Sequence, residues 1–205
     1  IGIRPLLYNG RPIKSINQYY NKTNAKLRSE LPNNLKSSTR LRQLSFKRNN
    51  KIDYEMHKIS SHIINEAVKN NISKIFIGKN VGWKTEINIG RKNNQNFVNI
   101  PHKKLISQLL YKGLLNGIEV VITEESYTSK ASFFDKDDLP TYGESDNYKF
   151  SGKRIKRGLY RDSKGNLWNA DLNGAGNIMR KCSDKAHKNI RKTKDLMKRP
   201  ILVTL

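Results

Sequence analysis

The sequence contains a single cysteine, Cys182, and no long apolar run. One cysteine excludes an intrachain disulfide and cannot supply the several thiolates of a cysteine zinc site. No segment approaches the roughly 20 apolar residues that span a bilayer, and no signal-peptide core opens the chain. We therefore expect no membrane-spanning segment and no zinc.

Acidic residues are also scarce, since 17 Asp and Glu stand against 40 Lys and Arg and leave a formal net charge of +23. The many positive charges repel one another unless a polyanion neutralises them. Nucleic acid is therefore the first partner to consider, and a membrane surface is the second. We expect a cytoplasmic, nucleoid-associated protein. A length of 205 residues suits one domain, or one domain with an insertion.

Two adjacent glutamates stand at the end of a predicted strand. The β-branched run at 118–122 indicates a buried strand, and Glu124 and Glu125 follow it closely. Because successive side chains of a strand point to opposite faces, at most one of the two can face a given site. Two interpretations stay open here: an acid that carries chemistry, or an ordinary solvated strand end.

The remaining patterns alternate between helix and strand. They predict, in order, a hairpin at Asn9-Gly10, a polar helical stretch over 16–50 broken at Pro32, a helix over 52–68, a strand over 72–77, a loop over 79–99, a helix from Pro101 to a C-cap at Gly117, and the strand at 118–122. Strand, helix, strand in this order implies two parallel neighbouring strands joined by a crossover.

The polar helical stretch contains two adjacent tyrosines, Tyr19 and Tyr20, among many lysines, arginines and asparagines. Tyrosine beside lysine can stack nucleic-acid bases on a basic groove. The same pattern is also typical of a helix that packs its aromatic side against a core. The sequence leaves both open.

Residues 127–168 interrupt the alternation of helices and strands. This segment is too long for an ordinary connection, so we interpret it as a small inserted subdomain. A hairpin is predicted over 159–168, and packing of four aromatic side chains is expected to hold the insertion: Phe133, Phe134, Tyr160 and Trp168. Asp171 then opens a helix. Residues 182–205 form a basic tail with little pattern, which we expect to be frayed.

This order of elements matches the later part of a ribonuclease-H-like fold, in which carboxylates from strand ends and a final helix meet at one edge. Such an edge holds two divalent cations about 3.5–4 Å apart, which need hard oxygen ligands. Glu125 and Asp171 would be two of the carboxylates. Asp171 is also favourable near a helix start for dipole reasons alone.

Four segments carry a family resemblance: GRPIKSINQYYNK, NNQNFVNIPHKKL, YKGLLNGIEVVITEESYTSKASFFD and SGKRIKRGLYRDSKGNLWNADLNGAGNI. They resemble the carboxy-terminal part of the TnpB (OrfB) family of insertion-sequence-encoded proteins, often described as transposases and similar to the RuvC-like nuclease part of type V CRISPR effectors. The resemblance implies an RNA-guided, Mg²⁺-dependent DNA endonuclease with DNA and guide RNA as partners. It predicts an α/β chain in which residues 1–126 and 169–181 form part of a RuvC-like, ribonuclease-H-like domain.

The resemblance also assigns residues. Asp171 matches the last catalytic aspartate, and Glu125, with Glu124 as the alternative, matches a glutamate that some members supply from the strand before Tyr127-Thr128-Ser129. Glu125 and Asp171 would bind the metal. Where the family usually has this glutamate, at the end of the earlier strand, the chain has Gly78. For nucleic-acid contacts we expect a basic and aromatic set: Lys112, Tyr127, Lys130, Lys153, Arg154, Lys156 and Arg157.

Two departures from the family pattern qualify this assignment. The family's opening strand, with its catalytic aspartate, is expected just before Ile1, so the chain as given lacks one metal ligand. The cysteine pairs that often bind zinc in the insertion are replaced by 132–135 and 159–168. The alternatives are therefore a catalytically inactive DNA- or RNA-binding remnant and, from the charge alone, a basic structural RNA-binding protein.

Overall fold

The computed structural model describes residues 3–79, 101–143, 148–183, 197–198 and 200–205. The loop predicted over 79–99 lies almost wholly outside them. In the described residues the elements follow one another as β1 (Leu6–Tyr8), α1 (Arg11–Ser29), α2 (Thr39–Lys69), β2 (Lys74–Gly78), α3 (His102–Leu115), β3 (Glu119–Thr123), β4 (Lys153–Lys156), β5 (Leu159–Arg161), β6 (Leu167–Asn169), α4 (Ala170–Cys182) and β7 (Ile201–Val203). The predicted mixed α/β class is confirmed.

The chain divides into two compact units. We call the first the strand unit; it comprises Ile1–Leu7, Lys74–Trp83 and Val120–Val203. We call the second the helical unit; it comprises Tyr8–Ser73, Lys84–Glu119 and Thr204–Leu205. Among the described residues, no helix combines the length and apolar composition that a bilayer span requires.

The hairpin predicted at Asn9-Gly10 is wrong, because α1 begins there instead. Gly10 is the N-cap residue, Pro12 lies in the first turn, and the Asn9 side chain accepts a hydrogen bond from the Arg11 N–H (3.0 Å). A proline at a helix start loses no hydrogen bond, and its fixed φ suits the helix. The presence of Pro12 two residues after the glycine thus favours helix initiation over a turn between strands.

Helices α1 and α2 confirm the polar helical stretch and its interruption around Pro32. The side chain of Ser38 caps α2 by accepting a hydrogen bond from the Leu41 N–H (3.3 Å). This cap satisfies one of the amide groups that a helix start leaves without a partner. The helix predicted over 52–68 is therefore the second half of a longer helix that begins at Thr39.

The core of the helical unit contains buried Ile13, Ile52 and Met56. Each such side chain contributes about 1.5–3 kcal/mol by leaving water. Polar groups are buried beside them and are paired: the Ser60 hydroxyl donates to Gln108 Oε1 at 3.0 Å. The three helices that the structure describes in this unit are thus joined by apolar packing and by a few specific buried hydrogen bonds.

Strands β2 and β3 of the strand unit pair with each other. The Glu119 N–H donates to the Ser73 carbonyl (2.9 Å), and the Lys79 N–H donates to the Thr123 carbonyl (2.8 Å). Both chain segments advance in the same direction between these two bonds, so the strands are parallel, as predicted. Helix α4 packs against β2, which brings the end of β2, the residues after β3 and one face of α4 together.

The inserted segment contains the antiparallel sheet β4–β5–β6, whose second and third strands form the predicted hairpin. The expected aromatic packing is confirmed: Phe133, Tyr160 and Trp168 are buried, and Phe134 stacks on Trp168 with ring centroids 3.6 Å apart. The Tyr160 hydroxyl donates to the Lys130 carbonyl (2.8 Å). A small apolar cluster therefore supports this part of the chain.

The Asp135 carboxylate joins segments 132–135 and 159–168 of the insertion. Asp135 accepts hydrogen bonds from the hydroxyls of Ser132 (2.6 Å), Ser151 (3.0 Å) and Ser163 (2.6 Å). Although partial burial acts to raise it, these hydrogen bonds lower the pKa of Asp135 to about 2. The folded state thus stabilises the ionised form of this side chain.

Acidification should weaken the fold through Asp135. A depressed folded-state pKa means that the unfolded chain binds the proton more tightly, so the stabilisation is complete above pH 4 and is lost as the pH falls toward 2. We expect a loss of about 1–2 kcal/mol, since the site is partly solvated. Urea unfolding at several pH values should show that Asp135→Asn removes this part of the pH dependence. The exposed neighbour Asp138 provides the control, and an Asp138→Asn variant should behave as the wild type.

The frayed tail predicted for 182–205 is wrong at its end. Strand β7 pairs with β1, and the Ile201 N–H donates to the Pro5 carbonyl (2.8 Å). Met197 is buried with Phe133 and Leu172 in the core of the strand unit. Residues 184–196 lie outside the described residues.

Candidate functional site

The two glutamates after β3 have different surroundings. The Glu124 carboxylate accepts a hydrogen bond from Lys181 Nζ (2.5 Å) and another from the Ser126 N–H. Although partial burial acts to raise it, these hydrogen bonds keep the pKa of Glu124 below its ordinary value. Glu124 is therefore held as an anion by a structural ion pair.

Glu125 is partly buried against the end of β2. A Cβ atom built on Gly78 would lie 2.6 Å from Glu125 Oε2, 2.9 Å from Glu125 Cβ and 2.6 Å from Ile178 Cδ1. Gly78 does not have a positive φ, so glycine is required here for space. The Glu125 side chain thus occupies the room that a side chain at 78 would take.

The pKa of Glu125 is raised, first by burial and then by the nearby charge of Glu124. Its environment disfavours the ionised form, whereas that of Glu124 favours it. A bound cation would stabilise the ionised form of a partly buried carboxylate that has a second carboxylate nearby. Of the two glutamates, Glu125 has the electrostatic character of a ligand site and Glu124 that of a structural residue.

Neutralising the two glutamates should change stability in opposite directions. Glu124→Gln removes the ion pair with Lys181, so the free energy of unfolding at pH 7 should fall by about 0.5–1 kcal/mol. Glu125→Gln removes a charge that the folded state disfavours, so the protein should gain stability, by less than about 1 kcal/mol. Thermal unfolding of both variants in metal-free buffer measures this; a shift of the same sign in both would contradict the assignment.

Asp171 lies in the first turn of α4, with its side chain 72% exposed and its Oδ1 3.8 Å from an Arg154 guanidinium nitrogen. The cap of this helix is Asn169, whose Oδ1 accepts hydrogen bonds from the Asp171 N–H (2.9 Å) and the Leu172 N–H (3.1 Å). Capping is therefore not the role of the Asp171 carboxylate, which projects toward solvent.

Two buried asparagines of α4 hold the segment that follows Glu125. Asn173 Nδ2 donates to the Ala131 carbonyl (2.8 Å), and its Oδ1 accepts from the Phe133 N–H (3.0 Å). Asn177 Nδ2 donates to the carbonyls of Thr128 (2.9 Å) and Ala131 (2.8 Å). We call these two residues the asparagine clamp. Both residues lie in the last of the four segments that carry the family resemblance, and the sequence assigned a role to neither, although their spacing of four places both on one helix face.

One face of α4 connects the surroundings of Glu125 with Asp171. Ile178, which shares the Gly78 contact with Glu125, is on the same helix face as Asp171, about two turns or 10 Å further along. Among the described residues there is no group of three or more His, Cys, Asp or Glu side chains arranged to hold a metal ion. The carboxylates are hard oxygen donors of the type Mg²⁺ requires, but a complete site needs more ligands than this pair.

The residues predicted to contact nucleic acid lie on and beside β4, around Tyr127, and on α3. The side chains of β4, including Lys153, Arg154 and Lys156, are exposed, as is Arg157. Lys130 lies over the ring of Tyr127, which also contacts Tyr148 and Phe150.

Lys112 differs from the rest of this predicted set. Its Nζ donates to Ser60 Oγ (2.7 Å), Ser61 Oγ (2.8 Å) and the His57 carbonyl (3.1 Å). Partial burial lowers its pKa. These bonds connect α3 to α2, which is a structural use of the side chain.

Comparison with known proteins matches two family models in succession. A model described as a probable transposase, OrfB_IS605, matches residues 3–84, and the Cas12f1-like TNB domain model matches residues 102–178. Comparison with curated proteins gave no match.

Among solved structures, C2c1 of Alicyclobacillus acidoterrestris in complex with single-guide RNA is similar, with 14% identity and a TM-score of 0.52 over 82% of this chain and 20% of that one. A Cas12f1–sgRNA–target DNA complex is also similar, with 18% identity and a TM-score of 0.49 over 78% of this chain and 41% of that one. The chain spans less than half the length of either protein. The two successive family models together cover most of the chain, and these matches support a protein of the TnpB (OrfB) family.

Proposed function

We propose that this chain is a nuclease part of an RNA-guided DNA endonuclease, with a RuvC-like, ribonuclease-H-like site in which Glu125 and Asp171 bind Mg²⁺. The observation that carries the proposal is the contact at Gly78. The family position at the end of β2 has no side chain, and the Glu125 carboxylate fills that space. Glu125, which follows β3, thereby places its carboxylate where the family usually has a glutamate at the end of β2.

Bound Mg²⁺ would activate a water molecule and stabilise the leaving oxygen of a phosphodiester. The chain's own residues hold the ligands. The asparagine clamp keeps the segment after Glu125 on α4, and Lys181 keeps Glu124 away from the metal position. Arg154, beside Asp171, and the exposed lysines of β4 would bind the phosphates of the strand being cut.

Guide RNA and DNA are the proposed partners at the nucleoid. Support comes from the net charge of +23, which a bound polyanion would neutralise. The similar C2c1 structure contains a single-guide RNA. In this proposal, base pairing between guide RNA and target DNA recognises the sequence, while the protein recognises the backbone and shape of the nucleic acid.

A second candidate is a nucleic-acid-binding protein of the same family without hydrolytic activity. It is supported by the finding that the described residues contain no group of three or more potential metal ligands. The two candidates share the basic surface and differ only in the chemistry at Glu125 and Asp171.

A Mg²⁺-dependent cleavage assay on single-stranded DNA distinguishes the two candidates. The nuclease proposal predicts cleavage that stops with EDTA and falls at least about 100-fold in Glu125→Gln and in Asp171→Asn. Glu119→Gln, the same change at an exposed position of β3, is the control and should keep its activity. Equal cleavage by all variants would rule out the proposed site, and no cleavage by the wild type would favour the second candidate.

A further inference from the structure

A basic groove lies between α1 and α2 in the helical unit and shares no residue with the proposed metal site. It encloses a cavity of about 650 Å³. Its lining includes four cations and two tyrosines, Arg40, Lys47, Arg48, Lys51, Tyr19 and Tyr20, and no carboxylate. The groove therefore attracts anions and offers aromatic rings.

One side of the groove is fixed by internal contacts. The Arg48 guanidinium donates twice to Asn17 Oδ1 (2.7 and 2.9 Å) and lies 5.5 Å over the ring of Tyr20. The Tyr20 and Ser45 hydroxyls are 3.1 Å apart. Tyr20 thus has a packing role. Tyr19 is different, because 66% of it is exposed at the groove.

A second hollow of about 430 Å³ adjoins the groove on α2. Gln43 and Lys47 line both hollows, and the second adds Arg42 and Phe46. Phe46 is also 66% exposed. Each of the two adjacent hollows thus presents one exposed ring beside basic side chains.

We propose that this groove binds single-stranded nucleic acid, with bases stacked on Tyr19 and Phe46 and phosphates bound by Arg40, Lys47 and Lys51. Exposed rings along a basic groove are what base stacking combined with backbone binding requires. An acidic peptide would satisfy the cations but leave the rings unused, and a duplex keeps its base faces out of reach. The proposal goes beyond the cleavage function, since the groove shares no residue with the proposed metal site.

The test measures fluorescence anisotropy of labelled oligonucleotides of about 12 residues, one of deoxythymidine and one of uridine, against the full chain. Tyr19→Ala and Phe46→Ala should each weaken binding by about tenfold. Tyr54→Ala is the matched control, because Tyr54 is an equally exposed tyrosine of α2 (64%) outside the groove. Circular dichroism checks that each variant is folded.

Salt dependence separates stacking from phosphate binding. Lys47→Ala should lower the slope of log affinity against log salt by about 0.7, while Tyr19→Ala should leave the slope unchanged. Lys103→Ala, an exposed lysine of α3, should change neither. The two affinities show which of these two oligonucleotides the groove prefers. Equal effects of Tyr19→Ala and Tyr54→Ala, or equally tight binding of a polyglutamate peptide, would overturn the proposal.

Discussion

Replacing Asn177 by alanine should destabilise the protein by about 2–4 kcal/mol. The side chain is fully buried, and its amide donates to the carbonyls of Thr128 and Ala131. Alanine would leave two buried carbonyl groups with fewer donors and a void where the amide was, and buried acceptors without donors are costly. Urea unfolding measures the loss.

The clamp variant should also loosen the segment after Glu125, which hydrogen exchange can detect. Amide exchange over residues 126–133 should accelerate more than exchange in the helical unit, because the segment loses its attachment to α4. Asn116→Ala is the matched control. The Asn116 side chain also donates to a backbone carbonyl, that of Lys112 (2.8 Å), but at an exposed site. A loss of stability in Asn177→Ala no larger than that in Asn116→Ala would contradict the clamp.

Gly176→Ala should destabilise the protein by about 2–3 kcal/mol, although alanine is the better helix former. A Cβ atom at 176 would lie 2.7 Å from Cδ2 and 2.9 Å from Cε2 of the Phe133 ring. Phe133 cannot move aside cheaply, because it is 1% exposed and packed among Leu172, Phe134 and Met197. The close approach of this ring to the helix backbone therefore requires glycine.

The same helix provides the control for this variant. Nothing lies within 4 Å of a Cβ atom built on Gly174. Gly174→Ala should therefore stabilise the protein by up to about 1 kcal/mol through helix propensity alone. Denaturant unfolding of the two variants should give changes of opposite sign; stabilisation by both would show that the insertion does not pack on α4 through Phe133.

Elements with strong periodic patterns were predictable from the sequence, and long-range pairings were not. The apolar spacing of Ile52 and Met56 predicted a buried helix face because it reflects local geometry. Strand β7 was missed, since its partner β1 lies almost 200 residues earlier and nothing local marks the pairing. Asn9-Gly10 was misinterpreted because its turn tendency competed with Pro12, which favours a helix start.

In the candidate site, too, local positions were predictable from the sequence and long-range contacts were not. The sequence placed Glu125 after a strand and Asp171 at a helix start, and both positions are confirmed. Their roles remain a proposal. The different surroundings of Glu124 and Glu125 depend on Lys181 and Gly78, which lie 57 and 47 residues away. Such contacts arise only from the packing of α4, β2 and β3.

The central claim is that Glu125 supplies a metal ligand by filling the space at Gly78. Its most direct test is Mn²⁺ affinity, measured by electron paramagnetic resonance on the wild type, on Glu125→Gln, and on a double variant that moves the carboxylate, Gly78→Glu with Glu125→Gly. Of the three atoms that would lie close to a Cβ atom at position 78, two belong to the Glu125 side chain and are absent from the double variant. Only Ile178 Cδ1 remains, and it is the end of a flexible side chain.

We predict that Glu125→Gln weakens Mn²⁺ binding at least about tenfold and that the double variant recovers most of the affinity. Wild-type affinity in Glu125→Gln would contradict the claim.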